Sequence, residues 1–209
     1  MTIFYIDTTS SYLYTGIVRD NELVIEKKDN LEKNLSVYAV SVVNEMFNEV
    51  NIKPNDIDKI IVVNGPGSFT GIRIGVTLAK IFAYTKKIPI ITITSLEAMA
   101  KSIKSDKLIV PIINARREAC YAAIFDGDKN ILNGEYMTIE KLKMILLGLN
   151  KDYIFISNDS FPFEVEKYSP DILNIVLYYK DKENINPHMV NPVYLKLTEA
   201  EENRLRNDD

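Results

Sequence analysis

The stretch Lys59-Ile-Ile-Val-Val-Asn-Gly-Pro-Gly-Ser-Phe-Thr-Gly-Ile-Arg-Ile-Gly75 decides how the chain is built. Its first residues are a β-branched run of the kind found in a strand covered on both faces of a parallel sheet. Gly65-Pro66-Gly67 ends that strand; helical spacing follows from about residue 70 to 85, and a further strand is expected at 89–94. Strand, helix and strand within that length make a βαβ crossover, so the fold class is α/β. The junction is not a P-loop, because no Lys follows the glycines, and not a dinucleotide fingerprint, because Thr70 stands where the third glycine belongs. A strand-to-helix junction offers free amides and the positive end of a helix to an anion or a partner's backbone. The alternative is that Gly65 and Gly67 only supply unusual φ angles and Thr70 only caps the helix. Pro66, Ser68, Phe69 and Arg73 complete the motif.

Along the helix that follows, Gly71, Gly75, Ala79 and Ala83 recur every four residues as a ridge of small side chains. Glycine in a helix costs about 0.5–1 kcal/mol relative to alanine, so the ridge implies a close approach of another helix. That helix is either the amphipathic one at 34–50, whose apolar set includes Leu35, Tyr38 and Val42, or part of a second polypeptide.

Upstream, strands are expected at 3–8, 12–19 and 22–27, joined by turn-forming residues into a meander. Downstream, a short helix at 95–103 runs into a polar stretch at 101–107, the expected lobe boundary, which divides the chain into 1–103 and 104–209. A second meander follows at 108–114, 120–125 and 130–137, then a helix at 138–149, a strand at 153–157, and a loop-rich end with a charged tail at 199–209. A shift of 107 positions places Asp7 on Asn114, Ile6 on Ile113, Tyr14 on Tyr121 and Ile17 on Ile124, which suggests a weak internal duplication.

The 209 residues are 46% apolar and 26% charged, with a net charge of -4, and the mean hydropathy is -0.06. That balance argues against a protein that grips phosphate backbones unaided, since such affinity comes from counterion release at basic surfaces. A single cysteine, Cys120, excludes an internal disulfide or cysteine zinc site, and a single histidine, His188, leaves most hydrolase mechanisms without a base. No apolar run is long enough to span a membrane, and an acid appears too early for a signal peptide, so the expected location is cytoplasmic. Asp7, followed by Thr8 and Thr9, either caps a turn or holds a hydrated metal beside a bound nucleotide. The residue aligned with it, Asn114, is not an acid, which weakens a phosphotransfer reading. Arg116, Arg117 and Glu118 read as a solvated charge cluster.

The motif at 64–75 resembles the bacterial TsaB (YeaZ) family. Ile6-Asp-Thr-Thr9 is similar to the family's opening, Asn114-Ala-Arg-Arg-Glu-Ala-Cys-Tyr121 to its central pattern and Pro192-Val-Tyr-Leu-Lys196 to its late segment. Asn114 in place of an acid, Glu118 one place early, and the lack of a histidine before the first helix depart from the pattern. The resemblance implies an actin/sugar kinase/Hsp70-like (ASKHA) fold of two lobes, each starting with a three-stranded meander, the second reduced. It also implies a noncatalytic subunit for transfer of threonylcarbamoyl to N6 of adenine 37 in tRNAs reading ANN codons. The implied partners are the catalytic subunit TsaD and the ATPase TsaE, with tRNA reached only through the complex and a homodimer when the chain is alone. No cofactor or metal is expected to be held tightly by this chain; ATP or ADP and metal belong to the assembled complex. Two rivals are a glycoprotease-like peptidase, which lacks a nucleophile–base pair, and a small-molecule kinase, which lacks the second acid.

Overall fold

The structure, a computed structural model, describes residues 1–196; the charged tail lies outside them. Strands β1 (Thr2–Asp7), β2 (Tyr12–Arg19) and β3 (Glu22–Asn30) form the first meander. After α1 (Leu35–Glu49), β4 (Lys59–Val63) joins in parallel beside β1, and after α2 (Phe69–Lys86), β5 (Ile90–Ile93) joins beside β4, giving the order β3-β2-β1-β4-β5. Helix α3 (Ser95–Lys101) leads to β6 (Leu108–Asn114), β7 (Ala119–Asp126) and β8 (Lys129–Thr138), the second meander. Helix α4 (Ile139–Leu149) and β9 (Tyr153–Ile156), parallel to β6, complete the sheet β8-β7-β6-β9. Each lobe thus opens in a meander and adds a parallel strand beside its first, with one strand fewer in the second lobe, as the ASKHA resemblance implies.

Every residue of β1 is buried because helices cover both faces of the first sheet. On one face Phe4 and Ile6 pack with Phe47 of α1 and Ile72, Val76 and Ala79 of α2. On the other, Tyr5 and Ile61 pack with Ile175 and Val176 of a further helix, α5 (Ile172–Tyr179). Helix α3 packs Leu96 and Met99 against Ile109, Phe125 and Ile156 of the second sheet, so it joins the lobes. Among the described residues no helix is long and apolar enough to cross a membrane.

Three expectations need correction. The division at residue 103 fails: α5 comes from the loop-rich end, yet it seals the first sheet, so the N-terminal lobe draws on both ends of the chain. Strand β3 runs to Asn30 rather than residue 27, because Lys28, Asp29 and Asn30 continue the ladder to Tyr14, Leu13 and Tyr12 without any apolar alternation to announce it. The 107-residue shift holds for the second strands and slips by one for the first. Asp7 pairs with Tyr14, whereas Tyr121, the match of Tyr14, pairs with Ile113. Ile113 therefore stands at the place of Asp7, and Asn114 at that of Thr8. The slip preserves facing: Ile6 and Ile112 both point at the helix that follows their own meander, while Ile113 packs with α3.

Candidate functional site

The glycine motif is stitched to the β1–β2 turn. Ser68, not Thr70, is the N-cap of α2: its Oγ accepts from the Gly71 amide at 3.2 Å, and the exposed Thr70 lies inside the first turn. The Ser68 amide donates to the Thr9 carbonyl at 2.7 Å, and Thr8 Oγ1 donates to the Gly71 carbonyl at 2.7 Å. Gly67 has φ +156°, and a Cβ there would stand against the Thr9 carbonyl oxygen, so both backbone angle and space require glycine. A Cβ at Gly71 would strike the Thr8 carbonyl oxygen, and one at Gly75 would strike Thr8 Oγ1.

The ridge of Gly71, Gly75, Ala79 and Ala83 is consequently buried inside the lobe. Its close neighbour is the Thr8 turn at the glycines and the sheet core at the alanines, and it is not a free face for a second polypeptide. What α1 and α2 leave outside are the flanks of the two helices. Tyr38 is 50% exposed and Ile81 57% exposed. Ile74, Leu78 and Ile81 share one side of α2 by helical spacing, and a groove between the two helix starts is lined by Leu35, Ser36, Thr70 and Ile74. Leu35 itself is buried and Val42 half-buried.

Between the lobes lies a cleft of about 470 Å³, walled by Thr9, Ser10, Tyr12 and Ser95 on one side and Asn114, Tyr121, Ser157 and Asp159 on the other. Hydroxyls and amides dominate it, and among the described residues no Lys or Arg lines it. Neither Asp7 nor Thr8 reaches it. The Asp7 Oδ1 accepts from the Thr9 amide at 2.8 Å and from Thr9 Oγ1 at 2.7 Å, which makes it a turn cap. Burial pushes the Asp7 carboxyl up to about 6, against the lowering effect of the two Thr9 bonds. Tyr14 close by is pushed up to about 12, by burial first and then by the charge on Asp7. Of the three residues expected to meet a nucleotide, Thr9 alone stands at the cleft wall. This donor set does not suit a metal–nucleotide: Asp7 is sealed behind Thr9, Asp159 on the far wall is engaged by the Asn114 amide, and among the described residues no Lys or Arg lines the space where phosphates would lie. In the second lobe Asn114 is part of a turn, its amide donating to Asp159 Oδ2 at 2.8 Å and its Oδ1 accepting from the Arg116 amide at 2.8 Å.

The remaining candidates behave as side chains with structural neighbours. Cys120 is buried in β7, and burial pushes its thiol up to about 11. His188 is exposed and packs edge-on to Tyr84 at 4.9 Å. Arg116, Arg117 and Glu118 form a tight turn with all three φ angles positive. Among the described residues no three His, Cys, Asp or Glu side chains gather as metal ligands. The family resemblance singled out residues 192–196 but not their place: the strap 190–196 lies along the motif, where the Val193 amide donates to the Asn64 carbonyl at 2.7 Å and Lys80 Nζ donates to the Val190 carbonyl at 2.8 Å. On its surface Arg73 lies over the Phe69 ring at 3.7 Å and donates from Nε to Tyr194 Oη at 2.9 Å. The shared aromatic and basic character of Phe69, Arg73 and Tyr194 was the available signal, but 121 positions separate Arg73 from its tyrosine.

A family model described as "TsaD: tRNA N6-adenosine threonylcarbamoyltransferase" matches residues 29–146. The tRNA threonylcarbamoyladenosine biosynthesis protein TsaB of Bacillus subtilis is 34% identical over 96% of both chains. The TsaB of Buchnera aphidicola subsp. Acyrthosiphon pisum is 25% identical over 70% of this chain and 81% of its own. Among solved structures, a Pseudomonas aeruginosa protein described as similar to peptidase YEAZ superposes with a TM-score of 0.79, covering 93% of this chain and 99% of its own at 15% identity. YeaZ from Pseudomonas aeruginosa does so with a TM-score of 0.74, covering 92% and 100%, also at 15% identity. The structural likenesses show the fold. Because the sequence match to a TsaB runs through both lobes and not through the glycine motif alone, the chain belongs to the TsaB (YeaZ) family of tRNA threonylcarbamoyladenosine biosynthesis proteins.

Proposed function

We propose that this chain is a noncatalytic subunit of the tRNA threonylcarbamoyladenosine machinery. In this reading it docks on a TsaD-type threonylcarbamoyltransferase through the outer flanks of α1 and α2. The observation that carries the reading is the apolar surface those helices expose, with Tyr38, Val37 and Val40 on α1 and Ile81 and Tyr84 on α2, all at least half exposed. Exposed apolar side chains grouped on two neighbouring helices of a chain with net charge -4 are the mark of an interaction face. The burial of Asp7 and a cleft that no Lys or Arg lines among the described residues support a noncatalytic role, because group transfer to or from a phosphate-bearing donor draws on cationic groups at the reacting centre. ATP, metal and the TsaE ATPase then act on the assembled complex in the cytoplasm, and tRNA is gripped mainly by other subunits. Without its partner, the same face pairs two copies of this chain.

The test is co-purification with the TsaD-type protein of the same genome. Tyr38→Asp combined with Ile81→Asp is expected to abolish capture while leaving the circular dichroism melt within a few degrees of the parent. Undiminished capture by that variant, or threonylcarbamoyl transfer by the purified chain alone, overturns the proposal.

A further inference from the structure

Outside the cleft and the helix flanks, one concavity has a composition unlike the rest of the molecule. A groove of about 630 Å³ runs between the start of α2 and the strap 192–196; it shares Gly67 and Tyr121 with the mouth of the interlobe cleft. Among the described residues its walls carry two cations, Arg73 and Lys196, three aromatic rings, Phe69, Tyr121 and Tyr194, and no carboxylate. Phe69 and Tyr194 pack on each other, their rings 5.3 Å apart at 31°, and both stay about half exposed. The Arg73 guanidinium sits 3.7 Å above Phe69 and 5.9 Å from the centre of Tyr194. Its Nε is held by Tyr194, and no acidic partner of Arg73 occurs among the described residues. Lys196 Nζ lies 5.2 Å over Tyr136, itself 5.7 Å from Tyr121.

We propose that this groove binds a nucleoside phosphate, with the base stacked on the exposed Tyr194 ring and the Arg73 guanidinium beside it, and the phosphate drawn to the cations that line the groove, Arg73 and Lys196. A planar π face suits exposed aromatic rings and a stacked guanidinium, and a phosphate suits a pocket whose described residues carry two cations and no acid. An acidic peptide supplies the charge without the flat ring and therefore fits only half of the groove. The proposal is independent of partner docking, because neither Tyr38 nor Ile81 lines the groove, and capture of the partner can succeed or fail without it.

The experiment follows binding by NMR shifts and titration on the full chain with AMP, adenosine, inorganic phosphate, a six-residue oligoadenylate and a hexaglutamate peptide. AMP is expected to bind at least tenfold more tightly than adenosine or phosphate. Arg73→Gln and Tyr194→Leu should each weaken AMP at least tenfold, while Lys53→Gln, an exposed charge loss at the opposite end of the sheet, leaves it unchanged. Oligoadenylate binding tenfold tighter than AMP identifies the source as RNA; equal affinity identifies a free nucleotide, and both support the site. Absence of AMP and oligoadenylate binding at millimolar concentration, affinity indifferent to Arg73→Gln in a folded variant, or hexaglutamate binding as tightly as AMP overturns it.

Discussion

Asp7 shows how a residue that looks chemical can be structural. Its carboxyl is pushed up to about 6 by burial, while an unfolded chain leaves it near 3.8. Well below pH 3.8 the residue is protonated in both states and costs nothing. As pH rises through about 6 the native state retains the proton longer than the unfolded one, so stability falls across that window by about 3 kcal/mol. Asp7→Asn keeps the Oδ1 acceptor for Thr9 and removes the buried charge. The variant should be at least as stable as the parent at pH 7, and its urea midpoint should be flatter between pH 4 and 6.5. A variant more than about 2 kcal/mol less stable at pH 7 would show that the charge is compensated by something the geometry does not contain.

Gly75 and Thr8 form a second residue-scale pair. Gly75→Ala places a methyl group against Thr8 Oγ1 and should cost about 1–3 kcal/mol through overpacking. Thr8→Ala alone should also destabilise, since it removes the buried 2.7 Å bond to Gly71. The double variant should be more stable than the sum of the two losses predicts, because removing the hydroxyl makes the room the methyl needs. Strict additivity in a denaturation cycle would show that the two positions do not meet.

At the scale of elements, α5 is the piece whose role its own residues do not announce. Ile172-Leu-Asn-Ile-Val-Leu-Tyr-Tyr179 is a short apolar run, which strand and buried helix share. The local signal was Asp171, which follows Pro170 and caps the helix by accepting from the Asn174 amide at 2.9 Å. Because Ile175 is fully buried between α5 and the first sheet, Ile175→Ala should lower stability by about 2–5 kcal/mol. The loss should appear as one cooperative transition. An early melting step confined to the C-terminal half would mean that α5 belongs to the other lobe.

At the scale of the whole molecule, charge and lobe organisation set what the chain can hold. With 25 basic against 29 acidic residues, the isolated protein has little counterion release to draw on. Its affinity for full-length tRNA at physiological salt should be weaker than micromolar, read by filter binding or anisotropy; submicromolar binding would contradict the division of labour proposed here. One small cationic groove is compatible with that weakness, since two phosphate-facing side chains supply only a shallow salt dependence. The lobes are joined by more than the 101–107 stretch: α3 packs on the second sheet, and Lys101 at its end donates to Asp128 at 2.5 Å and lies 3.6 Å over the Tyr178 ring.

Local pattern was sufficient for the strands of both meanders apart from the end of β3, for the βαβ crossover at 59–94 and for the family motif, because periodicity and turn chemistry act over a few residues. It also identified the residues of the glycine motif, but not what they touch. Whether Gly71 and Gly75 face a partner or Thr8, whether Asp7 opens on the cleft, and which residue of the second lobe matches it depend on strand register and on contacts across 60 or more positions. The same holds for α5 closing the first sheet and for Tyr194 meeting Arg73. Spacing along the chain records which side of an element is apolar; only packing brings distant elements together and decides which side is left for a partner.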